Sequence, residues 1–240
     1  MLIQYICRQC MEISILQLIE GAKKAEGLTV IIDVFRAFST ACYAFGNGAA
    51  RMICVGGVTQ ALQLKSKIPE SILIGERDGK KVAGFDYGNS PTEIEHVDFS
   101  GKTLILTTSS GTQGIVNATN ADEVITGSFI NAGAVVKYVN RMAPRKVSLV
   151  CMGRGGVQLS DEDTECAGYV RNALEGVAQE FAPLINRLRY SEASQSFFDP
   201  QKTWKPERDF DLCLDLDRFS FILKAEHYRD GTALLRRIST

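Results

Sequence analysis

Residues 28–33 read Leu-Thr-Val-Ile-Ile-Asp, a continuous apolar run that ends in a carboxylate. A run of this kind, without polar alternation, is typical of a strand buried on both faces of a parallel sheet. The segment 39–45 then has a helical pattern, and Gly46-Asn47-Gly48 follows it as a stop signal. A buried strand, a polar turn and a helix in this order are the repeating unit of an α/β fold.

The same rhythm continues along the chain. Strand-like runs occur at 51–55, 72–75, 103–107, 123–126 and 147–151, and helical patterns at 59–67, 112–119, 131–141 and 160–175. This alternation predicts a three-layer α/β/α fold with a mainly parallel or mixed sheet. At the start of the last helical pattern, Ser160 is expected as the N-cap, with Asp163 completing a capping box.

Two parts of the chain depart from this rhythm. Residues 75–91 are rich in glycine and polar side chains, which predicts a long loop or a small hairpin of functional importance. The pattern is weaker over residues 176–240, where we expect a helix at 181–190 and strands at 212–216 and 219–223 on an edge of the same sheet. Residues 1–240 are therefore expected to form a single α/β domain.

Composition narrows the possible function classes. Hydrophobic residues make up 45% and charged residues 23% of the 240, which is typical of a globular protein. The net charge of −1 argues against a nucleic-acid partner, and the absence of an apolar run of roughly 18–20 residues argues against a membrane-spanning segment. Seven cysteines lack zinc-site spacing, since the Cys7 and Cys10 pair has no second pair. They indicate a reducing, cytoplasmic location.

Acidic side chains follow two of the predicted strands. Asp33 and Glu76 end two apolar runs, and Asp86 lies in the glycine-rich loop. Ligands of open parallel sheets collect at the carboxyl ends of the strands. Carboxylates that converge there would repel one another unless a cation lay between them, and oxygen ligands suit Mg²⁺. The alternative is that each carboxylate merely caps a turn.

Two arginines and a hydroxyl-rich turn provide candidate anion-binding groups. Arg36 and Arg77 follow Asp33 and Glu76 closely in the sequence, and a guanidinium fits phosphate, sulfonate or carboxylate oxygens. A local ion pair to Asp33 or Glu76 is the alternative. The turn Thr107–Thr112 leads from a strand into a helix, so its N–H groups can bind an anion or simply cap the helix. Neither a P-loop nor GxGxxG is present, which argues against a nucleotide.

The order of these blocks resembles the 2-phosphosulfolactate phosphatase family. The blocks that carry the resemblance are Asp33–Thr40, Gly75–Arg77, Gly84–Pro91, Leu106–Thr112, Gly127–Ala132, Cys151–Gly153, Glu162-Asp163 and Cys166–Gly168. The most distinctive is Gly84-Phe85-Asp86-Tyr87-Gly88-Asn89-Ser90-Pro91. One block departs from the family's pattern Asn-Gly-Thr-Arg, because this chain has Ser110-Gly111-Thr112-Gln113.

The resemblance implies a three-layer α/β/α fold and a cytoplasmic, magnesium-dependent phosphatase. Its reaction would convert 2-phospho-3-sulfolactate to 3-sulfolactate and phosphate, a step of coenzyme M biosynthesis. Because Ser110 and Gln113 replace an amide and an arginine, two alternatives stay open. One is a phosphatase for another phosphorylated hydroxy acid, and the other is a non-catalytic module that binds a phosphorylated or sulfonated metabolite.

These observations lead to a set of candidate site residues. The catalytic candidates are Asp33, Arg36, Glu76 and Arg77; the Mg²⁺ ligands are Asp33, Glu76 and Asp86; the substrate-binding candidates are Asn89, Ser90, Thr108, Ser110, Gly111, Thr112, Ser128 and Asn131. Whether Asp33 binds the metal or attacks phosphorus is left open. The expected partner is a small anionic substrate, without nucleic acid or membrane, and self-association into a homo-oligomer is left open.

Overall fold

The computed structural model describes residues 11–229 and 231–240, so Cys7 and Cys10 lie outside it. The strands are β1 (Glu12–Gln17), β2 (Gly27–Ile32), β3 (Arg51–Cys54), β4 (Ile72–Arg77), β5 (Lys80–Lys81), β6 (Thr103–Thr107), β7 (Ala121–Gly127), β8 (Lys146–Cys151), β9 (Phe221–Arg229) and β10 (Thr232–Ser239).

The helices are α1 (Leu18–Lys24), α2 (Ala37–Gly46), α3 (Val58–Lys67), α4 (Pro91–Ile94), α5 (Gly111–Asn117), α6 (Ala132–Met142), α7 (Asp161–Leu174), α8 (Phe181–Arg189), α9 (Glu192–Gln195) and α10 (Glu207–Cys213), with a 3₁₀ turn at Phe129–Asn131 before α6. Among the residues described, no helix combines the length and apolar character needed to cross a membrane.

The ten strands form one mixed sheet in the order β1-β8-β2-β7-β9-β10-β3-β6-β4-β5. Two parallel groups, β1-β8-β2-β7 and β3-β6-β4, lie on either side of the antiparallel pair β9 and β10. Helices pack on both faces of this sheet. The predicted three-layer α/β/α fold is therefore confirmed.

The pairing pattern sets the two parallel groups in opposite directions. Successive antiparallel pairings of β7 with β9, β9 with β10 and β10 with β3 reverse the strand direction three times. Sheets twist by roughly 20–25° per strand, so the five steps from β2 to β6 rotate the strand direction by about 100–125°. The carboxyl ends of β2 and β6 are linked through the segments that follow them, because the backbone N–H of Gly111, after β6, donates to Asp33, after β2.

The first quoted run forms the central strand of one group. All six residues of β2 are buried. Ile31 packs into the core that also holds α2, while Val30 and Ile32 pack into the core formed with α6 and α7 on the opposite face. Burial on both faces explains why the sequence shows no alternation there.

The C-terminal segment differs from the sequence prediction in two respects. Residues 212–216 do not form a strand, because Leu212 and Cys213 close helix α10 with their side chains in two separate cores. The strand predicted at 219–223 exists as β9, but it lies in the middle of the sheet and not at its edge. Its apolar residues on both faces, Ile222 and Leu223, fit an interior position.

A tight hairpin joins β4 to β5, as the glycine-rich segment predicted. Glu76 pairs with Lys81 and Arg77 with Lys80. The two residues between them, Asp78 and Gly79, have φ angles of 55° and 78°. Positive φ at both central residues is the requirement of a two-residue turn that matches the twist of the strands, and Asp-Gly is a preferred pair for it.

Candidate active site

Asp33 connects the end of β2 to the start of two helices. Its carboxylate is only 5% exposed, and Oδ1 accepts a hydrogen bond of 3.0 Å from the backbone N–H of Ala37 in α2. The backbone N–H of Gly111, at the start of α5, also donates to this carboxylate. A Cβ at position 111 would lie 2.9 Å from Asp33 Oδ2. Glycine is therefore required for the turn after β6 to approach Asp33.

Glu76 binds the same turn from the other group of strands. Its Oε1 accepts from the backbone N–H of Ser109 at 2.7 Å, and its Oε2 accepts from the N–H of Gly79 at 2.7 Å. Asp33 and Glu76 therefore converge on one turn, the first through Gly111 and the second through Ser109.

Most of the donors that were expected to bind an oxyanion at this turn have partners within the protein. The N–H groups of Ser109 and Gly111 donate to carboxylates. Thr108 and Thr112 bond each other, since the hydroxyl of each accepts from the backbone N–H of the other at 3.0 and 3.1 Å. The hydroxyl of Ser110 makes no hydrogen bond within the described part of the chain. Substrate binding by these residues stays a prediction.

Sequence reasoning missed two further carboxylates, which lie in the first turn of α7. Asp163 accepts from the N–H of Val34 and from that of Gly153, both at 2.8 Å. The expected capping box is therefore wrong: Ser160 is the N-cap residue but makes no capping bond with its side chain. Asp163 instead binds the backbone of the loops that follow β2 and β8. Because these contacts are with residues outside the helix, the sequence near Asp163 shows only the acidic residues that are common at the start of a helix.

The second missed residue, Glu162, is buried, and only 5% of its surface is exposed to solvent. Its Oε2 is buried and has no hydrogen-bond partner among the residues described. We refer to Asp33, Glu76, Glu162 and Asp163 as the carboxylate cluster. A buried, unpartnered carboxylate oxygen is costly unless a proton, a cation or a ligand satisfies it.

Three acidic groups of the cluster, Asp33, Glu162 and Asp163, have raised pKa values. Burial, followed by the charge of Asp163, raises the pKa of Asp33 to about 8. Burial and the charge of Glu162 likewise raise the pKa of Asp163 to about 8, and burial raises the pKa of Glu162 to about 7. Near neutral pH, each of these three carboxyl groups therefore binds a proton, or a positive ion in its place.

The cluster fits a hard divalent cation in its donor chemistry. Within the described residues, no three His, Cys, Asp or Glu side chains are arranged to share one metal ion. Mg²⁺, however, usually keeps several waters and takes one or two carboxylates together with substrate phosphate. The carboxylates of Asp33 and Glu76, which bind the same turn, suit such a site.

Asp86, the third expected metal ligand, lies apart from this cluster. Its side chain is exposed, and Oδ2 accepts from the backbone N–H of Leu73 at 2.8 Å. Leu73 is near the start of β4, whereas Glu76 is near its end. The structure thus gives Asp86 a role in holding the loop against β4, and metal binding by Asp86 stays a prediction.

Arg36 is buried but does not pair with Asp33. Its Nη1 donates to Asp209 Oδ2 at 2.6 Å and to the carbonyl of Trp204 at 3.0 Å, and its Nη2 donates to the carbonyl of Gly79 at 2.9 Å. Asp209 also accepts from Ser90 and Thr92. Arg36 therefore ties α10 to the β4–β5 hairpin that positions Glu76.

Arg77 lies at the junction of β4 and β6. Its Nη2 donates to Thr107 Oγ1 at 2.8 Å, and its Nη1 donates to the carbonyl, not the carboxylate, of Glu76 at 2.6 Å. The amide of Gln113 donates to the carbonyl of Gly56 at 2.7 Å. Arg77 is half-buried beside the turn that binds the cluster, with its charge unpaired by a carboxylate in the described chain.

Four of the substrate-binding candidates make no hydrogen bond to the carboxylate cluster within the described residues; they are Asn89, Ser90, Ser128 and Asn131. Ser128 and Asn131 are fully buried and cap the 3₁₀ turn reciprocally, so their polar atoms serve local structure. Ser90 donates to Asp209 at 2.8 Å. Asn89 differs from these, because its Oδ1 is buried without a partner among the described residues. A substrate role for all four stays a prediction.

Comparison with known proteins adds an independent observation. The sequence model of the 2-phosphosulpholactate phosphatase family matches residues 13–227. The chain belongs to this family. The resemblance inferred from the ordered motifs is confirmed, and the members of the 2-phosphosulpholactate phosphatase family are phosphoric monoester hydrolases by name.

Several relatives share this family assignment. A probable 2-phosphosulfolactate phosphatase of Bacillus subtilis is 30% identical over 207 residues, which is 85% of this chain and 88% of the relative. Proteins of the same description are 43% identical over 147 residues in Thermotoga petrophila, with 61% and 62% coverage, and 39% identical over 166 residues in Carboxydothermus hydrogenoformans, with 68% coverage of both chains.

Proposed function

We propose that the chain hydrolyses 2-phospho-3-sulfolactate to 3-sulfolactate and inorganic phosphate with Mg²⁺ as cofactor, a step of the coenzyme M biosynthetic type. The relatives named above support the substrate. The convergence of Asp33 and Glu76 on the turn after β6 carries the proposal, because it brings buried acidic oxygens from two separate segments to one place, where the charge of Asp33 also acts on Glu162.

Phosphate ester hydrolysis needs groups that move protons at neutral pH. Water loses a proton as it attacks phosphorus, and the departing alkoxide gains one. A carboxyl group with a pKa near 7 or 8 changes its protonation state readily in this range. Glu162, which has a pKa of about 7 and one oxygen without a partner, is suited to this exchange.

Asp33 and Glu76 are the residues that would hold Mg²⁺, and Glu162 is left free for proton exchange. The ion supplies a Lewis acid for the phosphoryl oxygens when it is bound. Arg77 is bonded to Thr107, where the turn begins, and it would offset the charge of the phosphate oxygens. Arg36 contributes by fixing the hairpin that carries Glu76.

Two roles are open to Asp33. As a metal ligand it would keep its carboxylate throughout the reaction; as a nucleophile it would form an acyl phosphate that water then hydrolyses. Rapid acid quenching with ³²P-labelled substrate followed by peptide mapping distinguishes the two, since only the nucleophile acquires the label.

The proposal is tested by measuring phosphate release from a set of phosphorylated hydroxy acids with Mg²⁺ and with EDTA. We expect metal-dependent release with the highest kcat/KM for 2-phospho-3-sulfolactate. Release from no member of the set would overturn the proposed function.

Another phosphorylated hydroxy acid is a second candidate substrate, favoured by Ser110 and Gln113. Gln113 uses its amide on the carbonyl of Gly56, so it supplies no charge where the family pattern has arginine. The double substitution S110N/Q113R restores that pattern. If the natural substrate is a different acid, this variant will gain activity towards 2-phospho-3-sulfolactate and lose activity towards the substrate that the native chain prefers.

We place this activity in the cytoplasm. Cys42, Cys54, Cys151, Cys166 and Cys213 are buried free thiols. Buried free thiols without disulfides among the described cysteines fit a reducing compartment.

A further inference from the structure

Lys205 lies against the hairpin that supports Glu76. A Cβ placed on Gly79 would be 3.1 Å from Lys205 Cε, so the end of the lysine side chain packs on the hairpin turn. The N–H of Gly79 in turn donates to Glu76 at 2.7 Å. The ammonium group lies 5.4 Å from the centre of the Phe197 ring and donates to Ser196 Oγ at 3.1 Å.

Arg154 lies on the loop that supports Asp163. The preceding residue, Gly153, donates its N–H to Asp163 at 2.8 Å. The same loop reaches the turn after β6, because a Cβ on Gly156 would be 3.8 Å from the carbonyl oxygen of Ser109. Arg154 is exposed, and its guanidinium forms no hydrogen bond or ion pair with the described residues.

These two cations are close enough to repel each other, and no carboxylate of the described chain forms an ion pair with either. Burial, followed by the charges of Arg36 and Arg154, lowers the pKa of Lys205 to about 8, while the charge of Glu162 opposes this shift. Positive groups that converge from separate loops without a paired anion are stabilised when an anion binds between them.

We propose that Lys205 and Arg154 form an anion subsite beside the carboxylate cluster, and that it binds the sulfonate or carboxylate group of the phosphate monoester. This inference rests on the proposed function and assigns the second recognition point of the same substrate. Lys205 and Arg154 act on binding and specificity, whereas the cluster acts on the phosphate.

Three substrates that differ by one anionic group at a time test the subsite. They are 2-phospho-3-sulfolactate, 2-phospholactate, which lacks the sulfonate, and isopropyl phosphate, which lacks the carboxylate as well. In Lys205→Met and Arg154→Gln we expect KM to rise at least tenfold for the substrates that carry the recognised group, with kcat little changed. A rise in KM for 2-phospho-3-sulfolactate alone shows that the subsite binds the sulfonate. A rise in KM for both 2-phospho-3-sulfolactate and 2-phospholactate shows that it binds the carboxylate.

The controls separate binding from folding. Lys202→Met removes a lysine that pairs with Asp199 at 3.3 Å three residues away, and it should leave every KM unchanged. Lys205→Arg should restore most of the binding lost in Lys205→Met. An equal loss for all three substrates, or no loss for any, would overturn the subsite.

A binding measurement keeps this inference separate from the proposed reaction. Calorimetric titration with 3-sulfolactate requires no turnover. We expect the native chain to bind it and Lys205→Met and Arg154→Gln to bind it at least tenfold more weakly. If the native chain binds 3-sulfolactate but releases no phosphate from any ester, the proposed function fails and the subsite stands. If it binds no 3-sulfolactate, the subsite fails.

Discussion

Arg36 and Asp209 are 173 positions apart in the chain but form an ion pair with an Nη1–Oδ2 distance of 2.6 Å, and their side chains are 3% and 0% exposed. Breaking such a pair leaves a buried charge without a partner, which costs far more than losing a pair in solvent. The pair fixes α10 and the loop before it to the hairpin that holds Glu76.

Asp209→Ala should therefore destabilise the fold strongly. We expect a loss of about 3–5 kcal/mol in the free energy of unfolding, because Arg36, Ser90 and Thr92 lose a common acceptor. Urea denaturation measures it. Glu207 lies on the same helix as Asp209 and forms an exposed ion pair with Arg189 of α8, so Glu207→Ala should cause a much smaller loss. Similar losses in the two variants would contradict the structural role assigned to Asp209.

Asp33→Asn should reduce turnover strongly with the fold retained. The asparagine side chain can still accept the hydrogen bond from the backbone N–H of Ala37, but it carries no negative charge. We expect phosphate release to fall by about 100-fold to 10,000-fold, with an unchanged circular dichroism spectrum. Near-normal turnover would remove Asp33 from the mechanism.

Arg77→Ala should weaken substrate binding more than it slows the reaction. Loss of one charge-assisted bond corresponds to about 1–3 kcal/mol, or roughly 5-fold to 150-fold in KM. Arg51→Ala is a matched control, since Arg51 donates to Thr103 at the opposite end of β6, as Arg77 does to Thr107. If both substitutions raise KM equally, the effect of Arg77 is structural.

Glu162→Gln should raise stability at alkaline pH in the absence of metal. The pKa of Glu162 is raised from 4.5 to about 7, so the folded chain binds more protons than the unfolded chain between these values. The free energy of unfolding therefore falls as pH rises through this window, and the cost is complete above about pH 7. A glutamine at position 162 has no proton to lose, so this loss in the free energy of unfolding does not occur in Glu162→Gln.

Melting curves in EDTA at pH 8 and pH 5 measure this effect. The Tm of Glu162→Gln should exceed that of the native chain at pH 8, with a smaller difference at pH 5. Glu165 lies on the same helix as Glu162 and pairs with Arg187 of α8, and Glu165→Gln should show no such gain in Tm. A Tm for Glu162→Gln below the native value at pH 8 would show that its carboxylate stabilises the metal-free fold.

Mg²⁺ should stabilise the native chain more at pH 8 than at pH 5. A cation binds the deprotonated carboxylates, and protons compete with it at the lower pH. The rise in Tm on adding Mg²⁺ should also be smaller in Glu162→Gln than in the native chain. An equal rise at both pH values would place the ion outside the carboxylate cluster.

The local elements were predictable because each depends on a short stretch of sequence. The buried run at 28–33 predicted β2, and the helical patterns at 59–67 and 131–141 agree with α3 and α6 to within a residue or two. The Asp-Gly pair at 78–79 allowed the hairpin, since only particular residues adopt positive φ without strain.

The tertiary structure decided which of these segments meet. β9 and β10 enter the middle of the sheet and reverse one parallel group against the other, and nothing in their alternation of residues specifies their neighbours. Glu162 and Asp163 look like ordinary acids of a helix start, but the folded chain buries them beside Asp33. Local periodicity selects helix or strand, whereas strand pairing and burial also depend on contacts between residues far apart in the sequence, such as Leu28 and Val147 in β2 and β8, which only the folded chain brings together.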